Sequence, residues 1–202
     1  MAQHAPRRIV GIGGTFRPNS SSERLVRAVL AACAETGAET VMFDGPALAA
    51  LPHFNPEAPD RTPEQAALVA AVRAADALVI GTPGYHGGLS GLVKNAVDLL
   101  EDMRGDARVY WDGLPVGLVV SAAGWQAGGV TLGALRGIVH AMRGWPTPFG
   151  IAINSIEQKP FAADGSIGDA AIAAQVALMA RQIMGFRMEL PVQAGSRMEM
   201  PA

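Results

Sequence analysis

The chain has 202 residues, half of them hydrophobic, and 16 basic against 18 acidic side chains, which gives a formal net charge of −2. This length suffices for one well-buried domain, and a near-neutral chain without a basic cluster offers nothing to hold nucleic acid. No apolar run approaches the ~18 residues of a membrane span, and the N-terminal residues lack the apolar core of a signal peptide. The single cysteine, Cys33, can form no disulfide within the chain, so we expect a soluble cytoplasmic protein.

Short runs rich in Val, Ile and Leu alternate with helical periods. The predicted strands are 8–12, 39–43, 77–81, 114–122 and 148–153, and the predicted helices are 22–36, 63–75, 90–103, 131–142 and 168–185. Residues 44–62, with four prolines, are predicted to be irregular, and 188–202 to be a flexible tail. The alternation predicts a single α/β domain over 1–202 with a parallel sheet covered on both faces. In such sheets ligands lie at the carboxyl ends of the strands, so the loops after strands one, three and four should form one site.

The loop after the first predicted strand, Gly-Gly-Thr-Phe-Arg-Pro-Asn-Ser-Ser-Ser (13–22), is typical of an anion site. It leads into a helix N-terminus, which presents unpaired N–H groups and partial positive charge, and Arg17 adds a full charge. Hydroxyl donors come from Thr15, Ser20, Ser21 and Ser22. A phosphate monoester, which carries about −1.5 to −2 charge at neutral pH, suits this set. The alternative is plain capping of the helix by the serines.

The loop also indicates which phosphate compound is favoured. No Gly-Lys-Ser or Gly-Lys-Thr ends it, which excludes the loop of nucleoside triphosphatases. Phe16 stands where the dinucleotide fingerprint requires its third glycine. Because hydroxyl-rich loops suit a terminal monophosphate, the sequence favours a mononucleotide such as FMN over NAD or FAD at this loop.

Glycine-rich loops follow the third and fourth predicted strands, over 81–91 and 121–129. Glycine lets the backbone approach a flat ligand closely and exposes N–H groups to its polar edge. The first of these loops adds Tyr85 as a stacking face and His86 as a polar contact, and the second adds Trp125 and Gln126. Two interpretations of Trp125 stay open, contact with a ring ligand or a neighbouring subunit, and a lid on the core.

Titratable side chains predict neither a metal site nor a catalytic group. His53 and His140 lack partners at metal-ligand spacing and are interpreted as structural, and Cys33 falls on the apolar stripe of the first helix. Lys94 is interpreted as a solvated helix residue. The carboxylates Asp98, Glu101 and Asp102 are likewise interpreted as a solvated helix face.

Three segments together resemble the NAD(P)H-dependent FMN reductase family of the flavodoxin-like superfamily. Gly-Thr-Phe-Arg-Pro-Asn-Ser (14–20) resembles the family's Gly-Ser-x-Arg-x-x-Ser phosphate loop. Thr-Pro-Gly-Tyr-His (82–86) with Ser-Gly-Leu-Val-Lys-Asn-Ala-Val-Asp (90–98) is similar to Thr-Pro-Glu-Tyr-Asn and Pro-Gly-x-Leu-Lys-Asn-x-x-Asp. The third segment is the glycine-rich loop after the fourth strand. The resemblance covers most of 8–155 and implies a flavodoxin-like three-layer sandwich with a five-stranded parallel sheet of order 2-1-3-4-5.

The resemblance implies a set of cofactor contacts in this chain. The implied FMN-binding residues are Thr15, Arg17, Ser20 and Ser22 for the phosphate, Pro83, Gly84, Tyr85, His86 and Gly87 for the isoalloxazine or ribityl group, and Ala123, Gly124, Trp125, Gln126 and Gly128 for the ring edge. Residues 51–54 are similar to a segment that borders the nicotinamide side in relatives. Gly84 and His86 depart from the family's Glu and Asn, so side-chain contacts to the flavin edge should differ.

The implied activity is that of an NAD(P)H-dependent flavin oxidoreductase. Hydride passes from NAD(P)H to N5 of FMN, and the reduced flavin passes electrons to an acceptor, so no catalytic side chain is needed. Alternatives are an NAD(P)H quinone or azo-dye reductase with bound FMN and, less favoured, a non-enzymatic flavodoxin-type carrier. Relatives form homodimers or homotetramers, and a flavin-dependent monooxygenase is a candidate recipient. Apolar helix residues that could form a subunit interface are Leu92, Val93, Val97, Leu100, Leu132, Leu135 and Val139.

Overall fold

The computed structural model describes residues 5–58 and 60–188, so the predicted tail beyond Met188 lies outside the described residues. Within them six parallel strands form one sheet, in the order β2-β1-β3-β4 with β5 and β6 both beside β4. The strands are β1 (Arg8–Gly13), β2 (Glu39–Phe43), β3 (Ala77–Pro83), β4 (Pro115–Ala122), β5 (Trp145–Pro146) and β6 (Ile151–Asn154). The predicted order 2-1-3-4-5 is confirmed, with the fifth position divided between two short strands.

Helices cover both faces of the sheet. They are α1 (Ser21–Ala34), α2 (Gly45–Ala49), α3 (Pro63–Arg73), α4 (Gly91–Leu99), α5 (Trp125–Ala141) and α6 (Ala170–Gly185), and a 3₁₀ turn over Leu100–Met103 continues α4. Successive residues of β1 point to opposite faces, so Ile9 packs among residues of α1 and α6. Val10 and Ile12 pack on the other face among residues of α2 to α5. Two apolar cores therefore hold the predicted three layers together.

The predicted subunit face on α4 and α5 is wrong for most of its residues. Val93, Leu100, Leu135 and Val139 are completely buried in the core of this chain, and Val97 nearly so. A helix that covers a parallel sheet needs its apolar stripe for that sheet, because the strands expose apolar residues on both faces. These side chains are therefore unavailable to a neighbouring subunit.

The fifth strand is interrupted rather than continuous over 148–153. Val116 of β4 pairs with Pro146, and Val119 pairs with Ile151, so two residues of β4 lie opposite the four residues 147–150. Pro146 and Pro148 have no N–H group to donate to the hydrogen-bond ladder. Proline is therefore confined to the edges of sheets, where an N–H without a partner strand is not needed. The prolines account for the division into β5 and β6.

The structure corrects two further boundaries. The fourth long helix begins at Trp125 rather than at 131, and its first hydrogen bond joins the Gly128 N–H to the Gly124 carbonyl at 3.1 Å. Packing on β4 and β6 overrides the low helix propensity of this glycine-rich stretch. The predicted irregular region contains α2, whose N-cap Asp44 accepts a hydrogen bond from the Ala47 N–H. Proline in the first turn, here Pro46, fits a helix start, because its missing N–H is not needed there.

Among the residues that the structure describes, no helix has both the length and the apolar character that crossing a membrane requires.

Helix α5 ends in a motif that normally contains glycine. The Gly144 N–H bonds the Val139 carbonyl at 2.9 Å and the Arg143 N–H bonds the His140 carbonyl at 3.0 Å, which is the Schellman pattern. The residue at its left-handed position is Arg143, with φ of 63° and an exposed side chain. A Cβ in this conformation is strained, whereas glycine is not.

We therefore expect Arg143→Gly to stabilise the protein by about 1 kcal/mol. For a chain of this size that should raise the Tm by about 2–4 °C in calorimetry or thermal circular dichroism. Arg143→Ala is the control, because it removes the same charge and keeps the Cβ. An equal rise in Tm for both variants would mean that charge, not backbone strain, limits stability here.

Candidate functional site

A cavity of about 360 Å³ opens at the carboxyl edge of the sheet, where the loops after β1, β3, β4 and β6 meet. Its lining residues are Thr15, Arg17, Asn19, Ser20, Ser21, Ser22, Pro83, Gly84, Tyr85, Ser121, Ala122, Ala123 and Ser155. The volume lies within the range of small-molecule sites. The three loops that the sequence predicts to converge thus line one cavity, which we call the first cavity.

The loop after β1 is shaped by its own hydrogen bonds. The Thr15 hydroxyl accepts from the Arg17 N–H at 3.0 Å and donates to the Arg17 carbonyl at 3.1 Å. Asn19 adopts a left-handed φ of 54°, a conformation that asparagine tolerates. The chain then enters α1 at Ser20, whose hydroxyl caps the helix by accepting from the Glu23 N–H at 3.3 Å. Thr15 therefore holds the loop in shape, whereas the serines stand at the helix start.

The N-terminus of α1 faces the first cavity with several donors. Ser20, Ser21 and Ser22 line the cavity, and the hydroxyls of Ser20 and Ser22 lie 3.3 Å apart. Arg17 is exposed, and within 5–58 and 60–188 its guanidinium makes no side-chain hydrogen bond or ion pair. A helix N-terminus with several hydroxyl groups and an available guanidinium favours an anion at this position.

An ion-pair chain behind the loop balances the charge near α1. The buried carboxylate of Glu23 accepts a hydrogen bond from Nε of Arg27 at 3.1 Å. The same guanidinium reaches Asp44 at 2.6 Å, and Asp44 caps α2. One oxygen of Glu23 is thereby paired with Arg27, and the shared guanidinium ties α1 to α2.

The loop after β1 rests directly on the start of α2. A Cβ on Gly45 would collide with the Thr15 carbonyl oxygen, and one on Gly14 would collide with the Gly45 backbone. Gly14 also has a φ of 140°, which residues with a side chain rarely adopt. The position of the loop is therefore fixed by backbone-to-backbone contact.

The loop after β3 forms a tight turn over residues 85–88. Tyr85 and Gly88 exchange two backbone hydrogen bonds of 2.9 Å, with His86 and Gly87 at positive φ, as in a type I′ turn. Pro83, Gly84 and Tyr85 line the first cavity, and Tyr85 is 54% exposed. His86 and Gly87, at the tip of the turn, are not among the lining residues.

Packing explains why residue 84 is a glycine. A Cβ on Gly84 would lie 2.9 Å from both the Ala122 Cβ and the Thr131 Oγ1. Ala122 of β4 and Thr131 of α5 therefore occupy the space that the family's glutamate side chain would need at this position. The departure from the motif is accommodated by the neighbouring elements.

The residues after β4 divide into two groups. Ser121, Ala122 and Ala123 line the first cavity. The other predicted contacts, Gly124, Trp125, Gln126 and Gly128, form the cap and first turn of α5 and are not among the lining residues. Trp125 is 52% exposed, and its indole N–H donates to Glu157 at 2.9 Å. The interpretation of Trp125 as a lid on the core is wrong, and contact with a ligand or a subunit stays a prediction.

A second cavity of about 370 Å³ lies beside the first and shares Thr15 and Tyr85 with it. Its other lining residues are Phe16, Ala49, Leu51, His53, Ser90, Gly91, Leu92 and Asn95. Most of these are apolar, and none is Lys, Arg, Asp or Glu. An uncharged, flat group suits such a lining better than an anion.

Several lining residues escape the sequence reasoning. Asn19, Ser121 and Ala122 belong to loops or strand ends that the sequence indicated, but they were not named as contacts. Ser155 follows β6, and the position of that strand beside β4 brings it to the cavity. The position of Ser155 could have been predicted, because the carboxyl ends of all strands in a parallel sheet lie at the same edge.

Four titratable groups considered in the sequence have partners or are buried in the structure. Asp98 pairs with Lys94, and Glu101 accepts from the Tyr110 hydroxyl at 2.8 Å. The guanidinium of Arg61 binds both oxygens of Asp102 and lowers the pKa of that carboxyl. Burial raises the pKa of the Cys33 thiol to about 11. No cluster of His, Cys, Asp and Glu suited to a metal ion occurs in the described part of the chain.

A larger cleft lies elsewhere in the described part of the chain. It measures about 820 Å³ and opens at the amino ends of the strands, between Arg7, Asp112 and the end of α6. The Arg7 guanidinium is already engaged there, because it donates to the Ile183 and Phe186 carbonyls at 2.8 and 2.6 Å. In doubly wound sheets ligands bind at the opposite edge, so we assign the site to the first and second cavities.

Comparison with known proteins identifies a family for this chain. The model of the NADPH-dependent FMN reductase family matches residues 7–158. An FMN-dependent NADPH-azoreductase of Staphylococcus aureus is 35% identical over 124 residues, which are 59% of this chain and 61% of that protein. The chain thus spans less than two thirds of the curated relative it matches.

Solved structures share the fold. The flavoenzyme NAD(P)H:(acceptor) oxidoreductase FerB of Paracoccus denitrificans superposes with a TM-score of 0.72 at 22% identity, covering 89% of this chain and 98% of that one. The apo form of an NADH:FMN oxidoreductase, EMOB, gives a TM-score of 0.67 at 17% identity, covering 91% of each chain. At these identities the likeness establishes the flavodoxin-like fold alone.

The glycine contact behind the loop after β1 can be tested by adding one methyl group. In Gly45→Ala the new Cβ collides with the Thr15 carbonyl, so the loop after β1 must shift away from the start of α2. We expect FMN affinity, measured by quenching of its fluorescence, to fall about tenfold or more, since overpacking of this kind costs about 1–3 kcal/mol.

Gly105→Ala is the matched control, because a Cβ there meets nothing within 4 Å. If Gly45→Ala bound FMN as tightly as the control variant, the loop would not depend on this contact.

Proposed function

Because this chain belongs to the NADPH-dependent FMN reductase family, we propose that it is a flavin oxidoreductase that uses NAD(P)H to reduce FMN and passes the electrons to an acceptor. The observation that carries the proposal is the convergence of the α1 N-terminus, Arg17 and the glycine-rich loops on the first cavity. The second cavity, open beside it, supplies room for a further planar reactant.

The donor set of the first cavity fits the phosphate of FMN. Ser20, Ser21 and Ser22 offer hydroxyls and helix N–H groups, and Arg17 offers a guanidinium. Donors of these kinds form charge-assisted bonds with a phosphate monoester. The cavity continues to Pro83, Gly84 and Tyr85, where backbone and an aromatic face would border the ring system.

The residues of this chain bind, orient and exclude water. FMN, when bound, supplies the ring system that accepts hydride, which is why no protein side chain has to carry the redox chemistry. Tyr85 lies between the two cavities and borders both, so it separates the flavin position from the position of the second reactant. Phe16, Leu51 and Leu92 surround that second position with apolar surface, which favours a stacked nicotinamide over water.

A second candidate function differs in the acceptor. The lining of the second cavity contains no charged residue, which favours an uncharged aromatic acceptor, such as a quinone or an azo compound, over the anion FMN. FMN would then remain bound as a prosthetic group while NAD(P)H and the acceptor use the second cavity in turn. The azoreductase named above is a relative with such a reaction.

We also propose that the chain forms a homodimer or homotetramer. The apolar stripes of α4 and α5 are used in the core, but Tyr85, Trp125 and Val130 remain half exposed. Exposed aromatic and aliphatic groups near a site are typical of interaction surfaces. Soluble cytoplasmic placement and transfer of reduced flavin to a monooxygenase stay predictions.

The role of Arg17 predicts a difference between two flavins. Arg17→Gln should weaken FMN binding about 10–100-fold, because a hydrogen bond to a charged group contributes about 1.5–3 kcal/mol. Riboflavin lacks the phosphate, so its affinity should stay unchanged. Fluorescence titrations with both flavins make the comparison.

Arg104→Gln serves as the control, since Arg104 is 75% exposed on its side chain and pairs only with Glu101 at 3.6 Å among the described residues. Equal weakening of FMN and riboflavin by Arg17→Gln would assign Arg17 to folding of the loop instead of phosphate binding.

The activity itself is tested with the FMN-loaded protein under anaerobic conditions. We expect NADPH or NADH to remove the visible absorbance of the bound flavin in a single turnover. If the absorbance persisted with both nucleotides, the proposed enzymatic activity would be refuted and a flavodoxin-type carrier would be favoured.

Steady-state assays then separate the two candidate functions. Excess free FMN, an uncharged quinone and an uncharged azo dye are compared as acceptors by kcat/KM. Preference for free FMN supports the flavin reductase, and negligible FMN turnover beside the quinone or the dye assigns the second candidate.

A further inference from the structure

The segment of residues 51–54, which we call the wall segment, forms one side of the second cavity. It lies between α2 and α3 and contributes Leu51 and His53 to the lining. It has no helix or strand of its own, so no backbone ladder holds it in place. Its position must therefore come from side chains of neighbouring elements.

One side chain of α4 makes three hydrogen bonds to the backbone of the wall segment. Oδ1 of Asn95 accepts from the Phe54 N–H at 2.8 Å. Its Nδ2 group donates to the Pro52 carbonyl at 3.1 Å and to the Leu51 carbonyl at 3.4 Å. The carboxamide thus binds one N–H donor and two carbonyl acceptors of the wall segment. Neither Asp nor Leu can make all three of these hydrogen bonds.

A second side-chain amide, on α3, binds the Pro52 carbonyl as well. Nε2 of the buried Gln65 on α3 donates to the Pro52 carbonyl at 3.2 Å. The Pro52 carbonyl therefore accepts from both helices, and the wall segment is held between α3 and α4. Gln65 also closes the capping box of α3 with Thr62, so its removal would disturb the helix as well.

From this geometry we propose that Asn95 is a positioning residue, which fixes the wall segment so that Leu51 and His53 form the binding surface for the second reactant. The proposal rests on the proposed function, because it assigns the second cavity to the nicotinamide or the acceptor. Asn95 borders the second cavity and is absent from the lining of the first. Its loss should therefore affect the KM of the reactants and spare the affinity for FMN.

The test compares Asn95→Leu with wild type in three measurements on the FMN-loaded protein. Leucine has a similar size and makes none of the three hydrogen bonds. We expect the KM for NADPH, the KM for the acceptor, or both, to rise about tenfold, with the Kd for FMN within about twofold of wild type. Amide hydrogen exchange at Phe54 should accelerate at least about tenfold, since its only acceptor in the described residues is lost.

Gln182→Leu is the matched control. Oε1 of Gln182 accepts from the Phe149 N–H at 3.1 Å, so the same kind of side-chain bond to a loop is removed on α6, on the other face of the sheet. This variant should leave both KM values unchanged. If Asn95→Leu fails to fold, Asn95→Asp replaces it, because Asp retains the acceptor for Phe54 and loses both donors.

Unchanged KM values in a folded Asn95 variant would overturn the proposal, and so would a loss of FMN affinity by the same factor as the rise in KM. The latter result would mean that Asn95 has a general structural role. A wild-type protein that binds FMN but oxidises neither NADPH nor NADH would refute the proposed function. In that case an unaltered exchange rate at Phe54 in Asn95→Leu, the variant that removes the acceptor of this N–H, would separately refute the anchoring role.

Discussion

The backbone contact between Gly14 and Gly45 determines where the loop after β1 lies, and both cavities depend on that loop. Thr15 borders the first and the second cavity, Arg17 faces the first, and Phe16 faces the second. Glu23, Arg27 and Asp44 tie the helices on the two sides of this contact together. A short glycine contact and one ion-pair chain thus place the anion site and the neighbouring apolar surface relative to each other.

The two cavities differ in chemistry as the proposed reaction requires. The first combines hydroxyls, helix N–H groups and a guanidinium, which suit a phosphorylated cofactor that stays bound. The second presents apolar side chains together with uncharged polar groups such as Ser90 and Asn95, which suit reactants that bind and leave. Tyr85 lies between them, on a turn that two backbone hydrogen bonds between Tyr85 and Gly88 stabilise.

Much of this arrangement follows from local sequence. Strand β2 matches its predicted bounds, and β1, β3 and β4 differ by one or two residues at an end, because runs of Val, Ile and Leu between helical periods have few alternatives. The helix start at the loop of residues 13–22 was predictable, since hydroxyls before an amphipathic helix have a defined physical role, and this loop lines the first cavity. Parallel topology then brought the three loops together.

The remaining features depend on contacts between distant residues. Glycines at 124, 128 and 129 indicate a loop, and only packing against β4 and β6 makes that stretch helical. The apolar stripes of α4 and α5 look the same in sequence whether they face a sheet or a subunit. Asn95 matched a family motif without an assigned role, because its partners lie more than 40 residues away along the chain.

Cys33 gives the fold a property of a different kind. With a pKa of about 11 and no exposed surface, its sulfur is thiolate in about one molecule in ten thousand at pH 7 and out of reach of solvent. A thiol-specific reagent can therefore modify Cys33 only while the α1 side of the core is open. The rate of covalent labelling at this single sulfur measures how often that side of the molecule unfolds, without any engineered probe.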